Sequence, residues 1–247
     1  MFIVEGEKLS GYGIDVIDVI TRNMPEYNHK YISAAPSRIF QNIKHGQNYC
    51  AFGATKTPDR EKYIHFSRPA RLVISDMITI RKADSTRLIT DSKISLKNLL
   101  LNPDLIMGTT ANASFGETLD LVIQQYGSQT HIVSLSGSDT SEQLIQMLVR
   151  KRIDWFIWDP VSVLMLSKKL NLSDDLIVVP VKETREFGVL GYVCCPKNEW
   201  GAAVIKKIDR ILLREVGTDK FYKLFTPWVP VNLRAEYKKH YQRLMID

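Results

Sequence analysis

The chain has 247 residues, of which 45% are hydrophobic and 24% charged, with 33 basic residues against 27 acidic ones for a net charge of +6. That composition excludes a disordered chain, a collagen-like repeat and a disulfide-dense mini-protein, and the length is enough to bury a full core without staples. No apolar run approaches the ~20 residues of a membrane-spanning helix; the best, 161–166 and 176–181, have strand or helix length.

In chain order, Ile14, Ile17, Ile20 and Met24 recur at helical spacing after Gly11-Tyr12-Gly13. A strand is expected over 29–34, a short helix over 38–45 closed by Gly46, and a strand over 49–54. Thr57-Pro58 opens a helical turn, and 72–81 reads as one long strand. A second unit follows with a helix at 95–100, a strand at 104–109 and a helix at 114–125. Next come a strand at 130–135, an amphipathic helix at 141–152, a strand at 155–158, a helix at 160–170 and a strand at 176–181. A strand over 188–195 and two or three helices end the chain. This alternation predicts an α/β protein with largely parallel sheets in two units, residues 1–80 with 184–247 and residues 81–183. Ligands in such sheets lie outside the carboxyl ends of strands, so the expected site is a cleft between two lobes. The strand at 72–81 leaves the first unit and 178–189 returns to it, which predicts a two-stranded hinge.

The first residues have no basic segment followed by an apolar one, so no signal peptide is read in this chain. The densest basic cluster, Arg234, Lys238, Lys239, His240 and Arg243, reads as the solvated face of a C-terminal helix, and no aromatic residues interleave a basic stripe as nucleic-acid binding would need. The cysteines are Cys50, Cys194 and Cys195; they read either as buried free thiols or as one bridge from Cys50 to one of the adjacent pair. No metal-ligand spacing occurs, and the five histidines are scattered singly. Nucleophile elbow, dinucleotide fingerprint, P-loop and zincin motifs are all absent.

Three helix starts carry the polar chemistry. In Thr57-Pro58-Asp59-Arg60, Thr57 suits the N-cap, and Arg60 sits in the first turn, where the helix dipole disfavours a cation. Arg60 either reaches to solvent or Glu61, or shares that terminus with a bound anion, which a guanidinium clamps in bidentate fashion. Ser114-Phe115-Gly116-Glu117 has the form of a capping box; Glu117 reaching back to Ser114 would compete with an anion for the same amide. Asp159, between Trp158 and Pro160, is an N-cap and equally a carboxylate at a strand's end able to pair with an ammonium. Trp158 could wall a pocket.

With those residues in place, the chain resembles the family 3 extracellular solute-binding proteins, polar amino-acid binders of ABC transport systems. The matching segments are Gly11 to Val16, Gln41 to Gly46, Thr57 to Pro69 (the T-x-x-R…F-S-x-P signature), Arg150 to Asp154 followed by Asp159, and Gly188 to Pro196 with Trp228. The resemblance implies a type II periplasmic-binding-protein-like fold of two lobes, and a monomer that delivers a zwitterionic solute, most simply an amino acid, to transporter membrane subunits. Arg60 would clamp the carboxylate, Thr55 would add a hydroxyl and Gly53 a backbone group. Ser114 and Phe115 would donate from the second lobe, with Thr109-Thr110 as the alternative hydroxyl pair, and Asp159 would hold the ammonium. No cofactor, metal, catalytic residue or nucleic-acid partner is implied, and the location is periplasmic. The same lobes also serve as extracellular sensor domains. A few proteins of this fold are dehydratases, for which only Asp159, Glu183 and Glu186 offer acid/base groups.

Overall fold

The computed structural model describes residues 3–5, 8–32, 36–111, 113–127, 132–136, 140–184 and 186–246. The chain opens with β1 (Ile3–Glu5) and β2 (Lys8–Ser10), then α1 (Tyr12–Arg22), α2 (Pro36–Lys44), β3 (Ala51–Ala54), α3 (Pro58–Glu61) and β4 (Ile64–Ile74). It continues through β5 (Met77–Arg81), α4 (Ser85–Leu88), α5 (Leu96–Leu101), β6 (Met107–Thr110), α6 (Glu117–Tyr126) and β7 (Ile132–Leu135). Next come α7 (Thr140–Val149), β8 (Trp155–Trp158), α8 (Pro160–Lys169) and β9 (Leu176–Val179). The last elements are β10 (Gly188–Pro196), α9 (Glu199–Glu215), α10 (Asp219–Tyr222) and α11 (Arg234–Tyr241). Two compact units result: residues 1–73 with 188–227 and 235–247, and residues 74–187 with 228–234.

The first unit holds the antiparallel β1–β2 pair and a sheet of order β3-β10-β4, with β10 antiparallel to β3. Ile43 of α2, Ala54 of β3, Ile64 of β4 and Cys194 of β10 form one buried cluster. Helix α9 starts at Asn198, whose side-chain oxygen accepts from the Gly201 amide at 2.8 Å, and it buries Val204, Ile205, Ile208, Ile211 and Leu212 at helical spacing. Aromatic rings of Tyr12, Phe221, Phe225 and Tyr241 pack in tilted and edge-to-face contacts with centres 5.6–6.0 Å apart. The cations of the C-terminal segment turn outward while Tyr237, Tyr241 and Met245 are buried.

The second unit is a five-stranded sheet of order β7-β6-β8-β5-β9. Strand β6 runs parallel to β7 and β8, and β5 runs antiparallel to β8 and β9. Ile78, Ile80, Trp155, Ile157 and Val179 of the sheet pack with Leu96, Leu99 and Leu100 of α5 and Leu119 of α6. Such a cluster supplies about 1.5–3 kcal/mol per fully buried large side chain. At its polar margin, Arg81 donates to Asp84 (2.7 Å), Asp154 (2.6 Å), the Leu148 carbonyl (2.9 Å) and the Ile153 carbonyl (2.7 Å).

Several expectations change. The strand expected over 72–81 is two strands, β4 and β5, in different sheets; a break at Ser75-Asp76 lets the chain leave one sheet and enter the other. The return passage runs beside it, with the Ser75 amide donating to the Phe187 carbonyl at 3.0 Å. The sheets are not largely parallel: β5, which enters the second unit, and β10, which returns to the first, both pair antiparallel. Residues 29–32 form no strand, and 33–34 lie outside the described residues. The helix expected from 114 starts at Glu117, because Gly116 at φ 90° is its N-cap.

Of the two cysteine readings, the bridge is present and joins Cys50 to Cys195, leaving Cys194 as a buried thiol. Consecutive residues of β10 point to opposite sides of the sheet, so only one of the pair can face Cys50. Burial pushes the Cys194 thiol up to about 11. Under non-reducing conditions at pH 8, iodoacetamide should label no cysteine in the native protein and one after unfolding in urea, read by intact mass. Arg81→Met should lower unfolding stability by about 3–5 kcal/mol in urea titration, since it strands part-buried carboxylates. A loss below about 1 kcal/mol would contradict that role.

Candidate functional site

On the first unit the site grows from the end of β3. Thr57 caps α3 as its sequence suggests, its hydroxyl oxygen accepting from the Arg60 amide at 3.4 Å. Arg60 does not extend to solvent alone. Its Nη1 donates to both the carbonyl and the hydroxyl oxygen of Thr55, each at 2.8 Å, and its guanidinium lies 4.2 Å from the centre of the Phe40 ring. One nitrogen is thereby clamped and the plane is fixed by cation–π contact. The Nε–Nη2 edge donates to none of the described residues, which leaves the fork geometry that fits a carboxylate.

Gly53 adopts φ +83°, and its carbonyl accepts from Nη2 of Arg71 at 3.2 Å. Arg71 also donates from Nη1 to the Tyr12 hydroxyl at 2.8 Å. The residue that fills this corner was not visible in the sequence as a site residue, because an arginine in the middle of a strand carries no local signature.

On the second unit the expected donors are already engaged. Ser114 donates its hydroxyl to Asp120 at 2.6 Å, and the Phe115 amide donates to the other oxygen of the same carboxylate at 2.8 Å. The anticipated partner Glu117 is the first residue of α6; Asp120, one turn on, takes the place of an anion at this loop. Thr109 and Thr110 lie on β6 and pair with Ser134 and Leu135 of β7.

Asp159 caps α8. Its carboxylate accepts from the amides of Val161 (3.3 Å) and Ser162 (2.9 Å) and from the Ser162 hydroxyl (2.5 Å). The cap reading of Asp159 is therefore realised. Trp158 ends β8, part-buried, opposite Met77 of β5. One position beyond that pair, Asp76 faces Asp159. Burial first and the Asp159 charge second hold the Asp76 carboxyl above its usual range. Asp76 has no hydrogen bond or ion pair among the described residues. Glu183 has the opposite environment. Burial pushes its carboxyl up, but donations from the Lys97 and Leu96 amides and the Ser95 hydroxyl outweigh this and hold it below the usual range. It is a structural acceptor at the start of α5.

Among the described residues no group of three or more His, Cys, Asp or Glu could hold a metal ion, and no helix is long and apolar enough to cross a membrane.

Asp76 binds its proton more tightly in the folded state than in the unfolded chain, so it opposes folding once ionised. Stability is lost as pH rises from the ordinary carboxylate range through the raised value. Asp76→Asn should therefore raise Tm at pH 7, and the gain should shrink towards zero below about pH 4. Scanning calorimetry of both proteins across pH checks this; a lower Tm for the variant at pH 7 would contradict it.

The chain is similar over 98% of its length, and over 86% of the other, to a polar amino acid ABC uptake transporter substrate-binding protein from Streptococcus thermophilus (17% identity, TM-score 0.69). It is also similar to an ancestral cationic amino acid solute-binding protein (16% identity, TM-score 0.68, covering 93% of this chain and 90% of that one). A histidine kinase sensor domain with similarity to periplasmic binding proteins matches at 14% identity and TM-score 0.57, covering 92% and 90%. These likenesses establish the type II periplasmic-binding fold. No curated protein matches the sequence. The model of the bacterial extracellular solute-binding proteins, family 3, matches residues 1–231, and the T-x-x-R segment with its clamped Arg60 falls inside that match: the chain belongs to this family of solute-binding proteins.

Proposed function

We propose that the protein binds a small zwitterionic solute, an amino acid, in the periplasm and delivers it as a monomer to the membrane subunits of an ABC transporter. The observation that carries this reading is the state of Arg60. Its Nη1 is held by Thr55, its face is held by Phe40, and its remaining edge is open for a carboxylate. Thr55 lies beside it as a second polar contact, and Gly53 shapes the strand end.

Asp159 supplies the opposite charge from the second unit. A zwitterion that meets both charges favours the state in which the two lobes close on it. Trp158, next to Asp159, would wall the site. Ser114 and Phe115 would contribute only after giving up Asp120, so the first unit carries most of the affinity in this reading.

A binding role is favoured over a dehydratase role by Glu183, whose carboxylate is committed to three donors and held ionised. The similarity to a histidine kinase sensor domain supports a second reading, in which the same ligand chemistry serves signalling.

The test is a thermal-shift screen against the amino acids and small polyamines, with Arg60→Ala alongside. A ligand at about 100 times its Kd adds about 2.7 kcal/mol, which is a rise of about 5–10 °C at this size. The expected result is a rise with one ligand class that Arg60→Ala abolishes while the unliganded variant still unfolds cooperatively, a few degrees below the wild type, since Arg60 is half-buried and held by Thr55 and Phe40. A rise that survives in Arg60→Ala would overturn the assignment.

A further inference from the structure

Arg71 stands on β4, yet its side chain lies across the face of the sheet instead of leaving it. Two glycines in the neighbouring strands clear its path. A Cβ on Gly191 of β10 would lie 2.7 Å from its Nε, and one on Gly53 of β3 would lie 2.7 Å from its Cζ. The guanidinium ends between the rings of Tyr12 and Phe52, 5.7 and 5.5 Å from their centres. It is anchored on the Gly53 carbonyl, whereas Arg60 is anchored on the Thr55 carbonyl. The two anchoring carbonyls are two residues apart, so the two guanidinium groups are tethered at neighbouring points of one segment.

Their charges are uncompensated. Neither arginine meets a carboxylate within ion-pair distance among the described residues, although ten such pairs form elsewhere in them. Nε of Arg71 is buried and donates to none of the described residues. Two cations held close, one with an idle buried donor, repel each other until an anion joins them. A single carboxylate answers only Arg60. A second negative group on the same solute answers Arg71.

We propose that Arg71 is a specificity-determining residue that takes a second carboxylate, so that the solute class is the acidic amino acids: two carboxylates and one ammonium. This rests on the reading of Arg60 given above. The flanking rings of Tyr12 and Phe52 limit the approach to Arg71 and hold its plane, which suits a planar bidentate partner more than a flexible cation or an apolar chain.

Isothermal titration with L-glutamate, L-aspartate, L-glutamine and L-arginine, on the wild type, Arg71→Gln, Arg71→Lys and Arg60→Ala, tests the assignment. In the wild type, L-glutamate or L-aspartate should bind at least tenfold more tightly than L-glutamine, and L-arginine least. In Arg71→Gln the ratio of acidic to amide affinity should fall to about one, and in Arg71→Lys part of it should persist. Tighter binding of L-glutamine or L-arginine to the wild type, abolished in Arg60→Ala, would overturn this proposal while leaving the binding-protein reading intact. Equal weakening of L-glutamate and L-glutamine in both Arg71 variants would make Arg71 a packing residue and would overturn it too. Should Arg71→Gln not fold, the wild-type ranking and Arg71→Lys decide alone. Binding of none of the four by the wild type would overturn this proposal, while the thermal-shift screen of all the amino acids decides the binding-protein reading separately.

Discussion

The second unit is organised by one guanidinium. Arg81, at the end of β5, donates to two backbone carbonyls and two carboxylates, and Asp154 in turn accepts from the Ile106 amide at 2.9 Å. Those bonds join the end of α7, the turn into β8 and the segment before β6. None of these turns could be buried with its polar groups unpaired, since each orphan costs about 1–3 kcal/mol. The strand β8 that leaves this knot carries Trp158 and Asp159 at its far end, so the polar chemistry of the second unit is positioned by a contact at the opposite end of the same strand. Sheet pairing transmits that placement: Ile80 stands opposite Trp155, and Met77 opposite Trp158.

The first unit uses its guanidinium groups differently. Arg81 is saturated by the protein, whereas Arg60 and Arg71 are each held by neutral oxygens and aromatic faces. A cation fixed in place without a counter-charge is a preorganised anion site, because its orientation is settled before any ligand arrives. The two units also contrast in how they treat donors. Asp120 quenches the loop before α6, and Ser162 with Val161 occupies Asp159, so these groups of the second unit are already satisfied within the protein. Asp76 is the exception: burial first, and the charge of the facing Asp159 second, raise its carboxyl.

Most of the secondary structure could be read from the chain because the signals were local. Thr57-Pro58, Asp159-Pro160 and the periodic apolar residues of α1 and α7 announce helices, and a helix forms at each. Arg60 was legible as an anion-binding candidate from its place in the first turn of α3, whereas its clamp on Thr55 shows only in the structure. The misreadings share one cause. Residues 72–81 alternate as one continuous strand, and nothing in that alternation says the chain changes sheets at Ser75-Asp76. Glu117 looks like the capping partner of Ser114, yet Gly116 shifts the helix start and hands Ser114 to Asp120.

What the sequence by itself determined is the family, the alternation of helices and strands, and the residues whose roles depend on neighbours within one turn: the caps at Thr57 and Asp159. Periodicity and capping act over a few residues, so they are written along the chain. What only the tertiary structure decided are contacts between strands far apart in sequence. They include Arg71 crossing Gly191 to reach Gly53, Asp76 facing Asp159, and Cys50 joining Cys195 instead of Cys194. Each depends on sheet order and register, and those follow from the packing of whole elements, which no single segment encodes.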